Sequence, residues 1–237
     1  MVLGCVGSNS GKDGSGVRVV PLNAWALLLL GATHDPLRYG GGVSGVRVEQ
    51  CDVVRLLPAP QQEELLRRVG DQCARLVNME NYRRRQLFFA GRGIDEGVEI
   101  ARELAKVAPE YMEVKEVLGA RNFDETLRKV SEAWRSFAEL LKKKKRGELP
   151  PWMNPRPPGY RKRNGERVPI IIVRGDNYRV YAERKIIRLG YWNVDVRFTG
   201  KLRWLSKPGA KRGRMEIVYD PVKKRWRARL APTYRSG

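Results

Sequence analysis

The sequence is short of the residues from which catalytic and metal centres are usually built. It has one histidine, His34, and three cysteines, Cys5, Cys51 and Cys73, with no C-x-x-C pair. An odd number of widely spaced cysteines argues against a disulfide framework and against a zinc site, and suits a reducing cytoplasmic compartment. The simplest reading of each thiol is a small buried apolar side chain. A lone histidine leaves imidazole acid–base chemistry with a single candidate. The longest apolar run, Ala24–Leu30, is too short to span a bilayer. Acids are scarce towards the end: residues 142–237 hold 28 Lys+Arg against seven Asp+Glu, while residues 1–141 hold 19 of each. The whole formal excess of +21 therefore sits in the last two-fifths of the chain. Charge of one sign at that density repels itself unless an anionic partner offsets it. Nucleic acid is the first such partner to consider, ahead of an anionic membrane surface or a solvated basic tail. A tail is disfavoured because the bases alternate with Ile, Val, Tyr, Trp and Phe in strand-like order.

What is present falls into segments. Residues 1–45 are rich in Gly and Ser and read as a mobile leader. Gly4, Gly11 and Lys12 do not form a phosphate loop, since Asp13 follows the lysine and no strand precedes it. Residues 46–58 alternate as one strand, stopped by Pro58 and Pro60. From 59 to 146 the period becomes helical. Leu65, Leu66, Val69, Cys73, Leu76 and Val77 recur on one stripe that runs on to Phe89, and further helices are expected at 94–107 and 109–118, the latter opened by Pro109. Asn122-Phe123-Asp124-Glu125 resembles a capping box. It opens a helix with Leu127, Val130, Trp134, Phe137, Ala138 and Leu141 on one face, ending in Lys142, Lys143, Lys144, Lys145 and Arg146. Five bases exceed what the helix dipole needs, so part of the run is expected to face a partner. Residues 147–167 form a Pro-rich basic linker. Residues 168–231 read as short strands at 168–173, 178–182, 185–189, 192–198, 201–205, 213–219 and 225–230, with a basic loop at 206–213 and an Asp220–Lys224 hairpin turn. In Arg225–Leu230 every inward-type residue has an arginine beside it, so one face can pack while the other stays cationic. The lone first strand has no local partner; helices inserted into a β-barrel would give it one, by letting it pair with the C-terminal strands.

Several stretches together are similar to one family. The strand ending Leu56-Leu57-Pro58 runs straight into the helix of Gln61-Gln62-Glu63-Glu64-Leu65-Leu66. Later come Pro157-Pro158-Gly159-Tyr160-Arg161-Lys162, the strand end Val196-Arg197-Phe198-Thr199-Gly200, and the hairpin from Gly213 to Arg229. In order and spacing these resemble the TnpB (OrfB) proteins of insertion sequences, relatives of the type V CRISPR effectors, over roughly residues 46–230. The resemblance implies an α+β fold: an oligonucleotide-binding-like antiparallel β-barrel, the wedge, with an inserted helical recognition bundle. It also implies RNA-guided, Mg-dependent DNA cleavage by a RuvC-like domain after the barrel, together with a zinc ribbon. This sequence departs there, reading Ala231–Gly237 where a Gly-x-Asp strand belongs. The expectation is a truncated, nucleic-acid-handling part that cannot cut, with Mg and Zn belonging only to the absent domains and no cofactor of its own. Its partners would be structured guide-type RNA and target DNA, not a membrane, and it would be cytoplasmic or at the nucleoid when DNA-bound. No feature assigns an oligomeric state.

The residue chemistry points the same way. Metal-dependent phosphodiester cleavage needs two or three converging carboxylates. The acids of the basic part are Glu148, Glu166, Asp176, Glu183, Asp195, Glu216 and Asp220. Asp195 and Glu216 are expected to pair with cross-strand arginines, so no catalytic residue is assigned. Binding needs Arg and Lys on phosphates and aromatics on unpaired bases. The candidate contacts are Tyr160, Arg161, Lys162, Arg163, Arg203, Trp204, Lys207, Lys211, Arg212 and Arg214, joined by Arg83, Arg84 and Lys142 to Lys145 from the helical part. Trp192, Phe198 and Trp226 are expected to point into the core. Two other classes remain open. One is a generic basic RNA- or DNA-binding or architectural protein, which would not discriminate between RNAs. The other is an enzyme using the acids above, which would cleave DNA with Mg.

Overall fold

The computed structural model describes residues 51–234 apart from Glu96. The leader reading of 1–45, the rejected loop at Gly4–Lys12, the apolar run at 24–30, Cys5, His34 and the 46–50 part of the first strand lie outside the described residues.

The chain begins with strand β1 (Asp52–Leu57) and then forms four helices. These are α1 (Pro60–Phe89), α2 (Glu99–Val107), α3 (Pro109–Leu118) and α4 (Ala120–Lys145). Helix α1 has proline at its first position, where no N–H is needed, and the Gln62 side chain accepts the Ala59 N–H at 3.0 Å. Its buried stripe starts apolar, with Leu66, Val69, Cys73 and Leu76, and ends polar, with Glu80, Asn81 and Arg84.

Two sequence expectations are corrected here. Helix α2 begins at Glu99 rather than 94, because the carbonyls of Asp95 and Gly97 are taken by the Arg84 guanidinium instead of a helical ladder. Asn122 is no cap: α4 starts at Ala120 after Gly119, and the fully buried Asn122 amide donates to Leu118 O and accepts the Arg174 N–H and Asn177 Nδ2.

After the helices comes a small hairpin, β2 (Lys162–Arg163) with β3 (Glu166–Arg167). Its turn, Asn164-Gly165, has φ of 49° and 85°, the two left-handed residues of a type I′ turn. The remaining strands are β4 (Ile170–Val173), β5 (Tyr178–Tyr181), β6 (Ile186–Leu189), β7 (Val194–Thr199), β8 (Ala210–Asp220) and β9 (Arg225–Tyr234). With β1 they make a seven-stranded antiparallel sheet in the order β4-β8-β9-β1-β7-β6-β5. Strand β1 thus lies between β9 and β7, paired with Leu230–Arg227 on one side and Thr199–Arg197 on the other.

The expected oligonucleotide-binding-like barrel is overturned: the sheet is open, with β4 and β5 as its edges. Only the four-residue link Arg174–Asn177 joins these edges, so the sheet curls, but no ladder forms between them. The Arg174 N–H goes to Asn122 and the Asn177 N–H to Arg174 O. Strand β8 is bulged between Arg212 and Met215. Side chains join β5 to the bulged part of β8 instead: Tyr178 Oη donates to Gly213 O at 3.2 Å, and Arg212 Nη1 to Tyr178 O at 2.6 Å.

The expected strand at 201–205 is a loop. Strand alternation is present there, but the buried Asp52 carboxylate accepts the backbone N–H groups of Arg203, Trp204 and Leu205 at 2.7–3.2 Å, leaving none for a ladder. The basic loop expected at 206–213 is shorter, since Ala210–Arg212 already pair with Tyr234–Pro232.

The core lies inside the curl and between sheet and helices. Val54, Leu56, Val196, Phe198, Ile187, Leu189, Ile217, Trp226, Ala228 and Leu230 fill the inner face. Strand β4, Ile-Ile-Ile-Val, is buried on both faces because α1 and α4 cover its outer one. There Gly70 allows contact, as a Cβ would sit 2.8 Å from Pro169 Cβ. Trp192 reaches this core from the β6–β7 turn and donates to Val117 O at 2.9 Å.

Candidate nucleic-acid interface

The outer face of the other five strands, β9-β1-β7-β6-β5, is built by strict alternation. In β1 the inward residues Asp52, Val54 and Leu56 are buried while Val53, Arg55 and Leu57 are exposed. The same parity puts Arg225, Arg227 and Arg229 of β9, Arg197 and Asp195 of β7, Arg188 of β6, and Arg179 and Tyr181 of β5 outward. Register then sets like charges opposite one another: Arg55 faces Arg227, and Arg179 faces Arg188. Directly opposed like charges destabilise a sheet. Compensation is partial, since Arg227 pairs with Asp220 at 3.1 Å and Arg188 lies 3.7 Å from Asp195. The backbone N–H of Lys223 holds the Asp220 carboxyl below its ordinary value, helped by the Arg227 charge and the Val222 N–H, although burial opposes them. Among the described residues, Arg55, Arg179 and Arg197 have no ion pair or side-chain hydrogen bond. The result is a cationic band, exposed at Arg55, Arg179 and Arg197 and half-buried at Arg188, Arg225, Arg227 and Arg229, with Tyr181 and Leu57 set into it.

The candidate residues chosen from sequence occupy other places, and several are not free. Arg84 is corrected outright, because its side chain is fully buried. It donates to Glu80, to the carbonyls of Asp95 and Gly97, and to Ser131 Oγ, so it cannot reach a phosphate. Arg83 is held by Glu80 at 2.9 Å and Asp95 at 2.6 Å, which outweigh burial and raise its pKa. Arg214 ties β8 to α4 through Glu125 at 2.7 Å and Glu132 at 2.6 Å, and its pKa is raised although burial opposes this. Arg161 is half-buried and its pKa falls through desolvation; its buried Nε has no hydrogen-bond partner, and Asn78 clamps its backbone at both N and O. These four are structural ties.

The rest are accessible in four separate places. Beside α1, Lys162 and Arg163 are exposed, and Lys162 Nζ lies 5.7 Å from the Tyr160 ring. Around the Asp52-anchored loop, Arg203 and Trp204 line a cleft of about 390 Å³ with Cys51, Val53 and Lys201, and Lys207 Nζ sits 3.9 Å over the Trp204 ring. At the start of β8, Lys211 and Arg212 are exposed. At the end of α4, Lys142 pairs with Glu139 and Lys144 donates to Pro151 O, while Lys143 and Lys145 face solvent.

The outward band was partly legible. The Arg-x-Arg-x-Arg alternation of 225–229 marks its first strand, whereas Arg55, Arg179, Arg188 and Arg197 each stand alone in sequence and meet only through register.

The acids of the basic part are mostly committed to bases. Glu216 pairs with Lys129 at 2.8 Å, Asp176 with Arg121 at 2.9 Å, and Glu148 with Arg146 at 2.5 Å. Among the described residues no three His, Cys, Asp or Glu side chains gather as a metal site. Among them also, no helix is long and apolar enough to cross a membrane.

No family model matches the chain. Over 185 residues it is 40% identical to the TnpB-like protein ORF457 of Acidianus two-tailed virus, covering 76% of this chain and 38% of that relative. The chain therefore spans well under half the length of the relative it matches.

Proposed function

We propose, from this homology to a TnpB-like protein over part of the chain, that the protein is the nucleic-acid-binding portion of a transposon-type RNA-guided DNA endonuclease. It grips structured guide-type RNA, and target DNA through it. The outward face of β9-β1-β7-β6-β5 carries this reading. Two arginine pairs are held directly opposite one another there, and one member of each, Arg55 and Arg179, lacks a counter-ion among the described residues, as does Arg197. A sheet that keeps such repulsion gains most from a partner with a regular array of negative charge. Lys162, Arg163, Arg203, Lys207, Lys211 and Arg212 extend the positive surface beyond the sheet, and Tyr181 and Trp204 offer rings to unpaired bases. No cleavage step is assigned to the described residues.

The test is a binding competition at low and physiological salt. The protein should bind RNA transcribed from the 3′ end of its own gene at least tenfold more tightly than unrelated RNA of equal length. Equal affinity for both would make it a generic basic binder, and no binding to any oligonucleotide at low ionic strength would end the proposal.

A further inference from the structure

The C-terminal half of α1 carries a feature that the sheet face does not explain. Phe89 is 67% exposed and Tyr82 is 58% exposed. They stand seven residues apart with Arg85 between them, and at 3.6 residues per turn all three fall within about 60° of one another around the helix. Single exposed rings are ordinary on a protein surface. Two rings on one ridge with a cation between them form a surface with both apolar and charged character.

The Arg85–Phe89 end of this ridge is held by its neighbours. Phe89 packs edge-on to Phe88 with ring centroids 5.3 Å apart, and Phe88 is edge-on to Phe137 of α4, also at 5.3 Å. The Arg85 guanidinium carbon lies 5.4 Å from the Phe89 ring centroid and 5.5 Å from that of Tyr160, and its Nη1 donates to the carbonyls of Pro157 and Pro158. Lys162 continues the series beyond Tyr160. Arg92, just past the helix end, and Arg163 are exposed nearby in sequence. The carboxylates on this stretch are spent, since Glu80 is fully buried among Arg83, Arg84 and Tyr111, and Asp95 is paired with Arg83. Among the described residues from 80 to 95 no acid is left unpaired, so this stretch is aromatic and positive.

We infer that the ridge of Tyr82, Arg85 and Phe89 beside Tyr160 is a binding site for an unpaired nucleic-acid strand, with bases stacked on the Tyr82 and Phe89 rings and phosphates beside Arg85, Arg92 and Lys162. It rests on the nucleic-acid-binding reading above and adds a second contact surface, specific for single strands, on the helical part. Flat rings on an ordered ridge present π-faces to any base without ordering entropy, and the alternating cations match the phosphate on every nucleotide.

The experiment measures fluorescence anisotropy of labelled single-stranded oligoadenylate and oligodeoxyadenylate of about twelve nucleotides, within the span of single-strand sites. A blunt duplex runs in parallel, each across a salt series. Tyr82→Ala and Phe89→Ala should each weaken single-strand binding by about five- to a hundredfold. Duplex affinity should stay within about twofold, and the salt slope should be unchanged because no phosphate contact is lost. Phe89→Tyr should restore binding. The RNA and DNA arms tell which strand is preferred. Both rings are exposed, so folding should persist, with circular dichroism as the control. Unchanged single-strand affinity in both alanine variants would overturn the site, as would equal losses on single strand and duplex. A concentration-dependent dimer abolished by Phe89→Ala would also overturn it, making the ridge a contact between copies. If the unaltered protein binds no nucleic acid at all, the functional proposal fails; if it binds and the ring variants change nothing, only this site fails.

Discussion

Replacing Arg55 by glutamine should make the free protein more stable and its nucleic-acid complex weaker. Arg55 projects from β1, between β9 and β7 on the cationic face, and stands directly opposite Arg227. Facing side chains on neighbouring strands have Cβ atoms about 5 Å apart. Guanidinium groups that splay to ~6 Å in water repel by ~0.7 kcal/mol. Asp220, 3.1 Å from Arg227, screens part of that repulsion. Arg55→Gln should therefore raise unfolding free energy by about 0.2–0.7 kcal/mol, within the range measured for cross-strand pairs. The same change removes one cation from the face, and the slope of log affinity against log salt on duplex DNA should fall by ~0.9. Arg55→Lys, which keeps the charge, should leave both quantities near their starting values. Urea denaturation gives the first quantity and anisotropy titration at several salt concentrations gives the second. Lower stability together with an unchanged slope would refute the reasoning, because Arg55 would then be a packing residue rather than a charge held ready for a polyanion.

Three further outcomes follow from the packing. Glu80→Gln should cost about 3–5 kcal/mol in urea denaturation, because it leaves the fully buried Arg84 charge without its carboxylate; a Glu80→Met/Arg84→Met double variant should recover most of that loss. Gly119→Ala should cost about 1–3 kcal/mol or more, since φ 75° with ψ 147° is a glycine conformation and a Cβ would lie 2.5 Å from the Tyr191 ring; a thermal midpoint within about a degree of the parent would contradict this. Burial tends to raise the carboxyls of Asp95 and Glu132, but hydrogen bonds and charge from Arg83 and Arg214 outweigh it and hold both below their ordinary values of 3.8 and 4.5. Their stabilising contribution is complete above those values and is lost as pH falls through the lowered ones. Arg214→Gln should accordingly lose more stability at pH 7 than at about pH 3 when denaturation is compared across that range.

Legibility followed the range of the interactions. Helix α1, the Pro109 start of α3, the apolar stripe of α4 and the Asp220–Lys224 hairpin are set by neighbours three, four or a few residues away, and all could be read from periodicity and turn residues. The inward positions of Phe198 and Trp226 were equally readable from strand alternation. Elements decided by distant groups were misread. The 201–205 stretch alternates like a strand, but the Asp52 carboxylate, about 150 residues earlier, captures its N–H groups. Asn122 has the letters of a cap, yet its amide is spent on the β4–β5 link. Arginines are the hardest to place from sequence. Arg84, Arg161 and Arg214 look no different there from Arg55 and Arg197, and whether each is a buried tie or a free charge depends on which carboxylate or carbonyl the fold brings within reach.

By its own pattern, then, the chain determines a neutral helical part and a cationic strand-rich part whose arginines alternate with core residues, because side-chain period and net charge are local properties. Only the tertiary structure decides that the sheet stays open and that Arg55 arrives between β9 and β7 to complete a positive face. It alone also decides that half-buried ridges and fully buried networks divide the remaining arginines between contact and support. Strand order and ion pairing join residues far apart in the chain, and no stretch of neighbours encodes them.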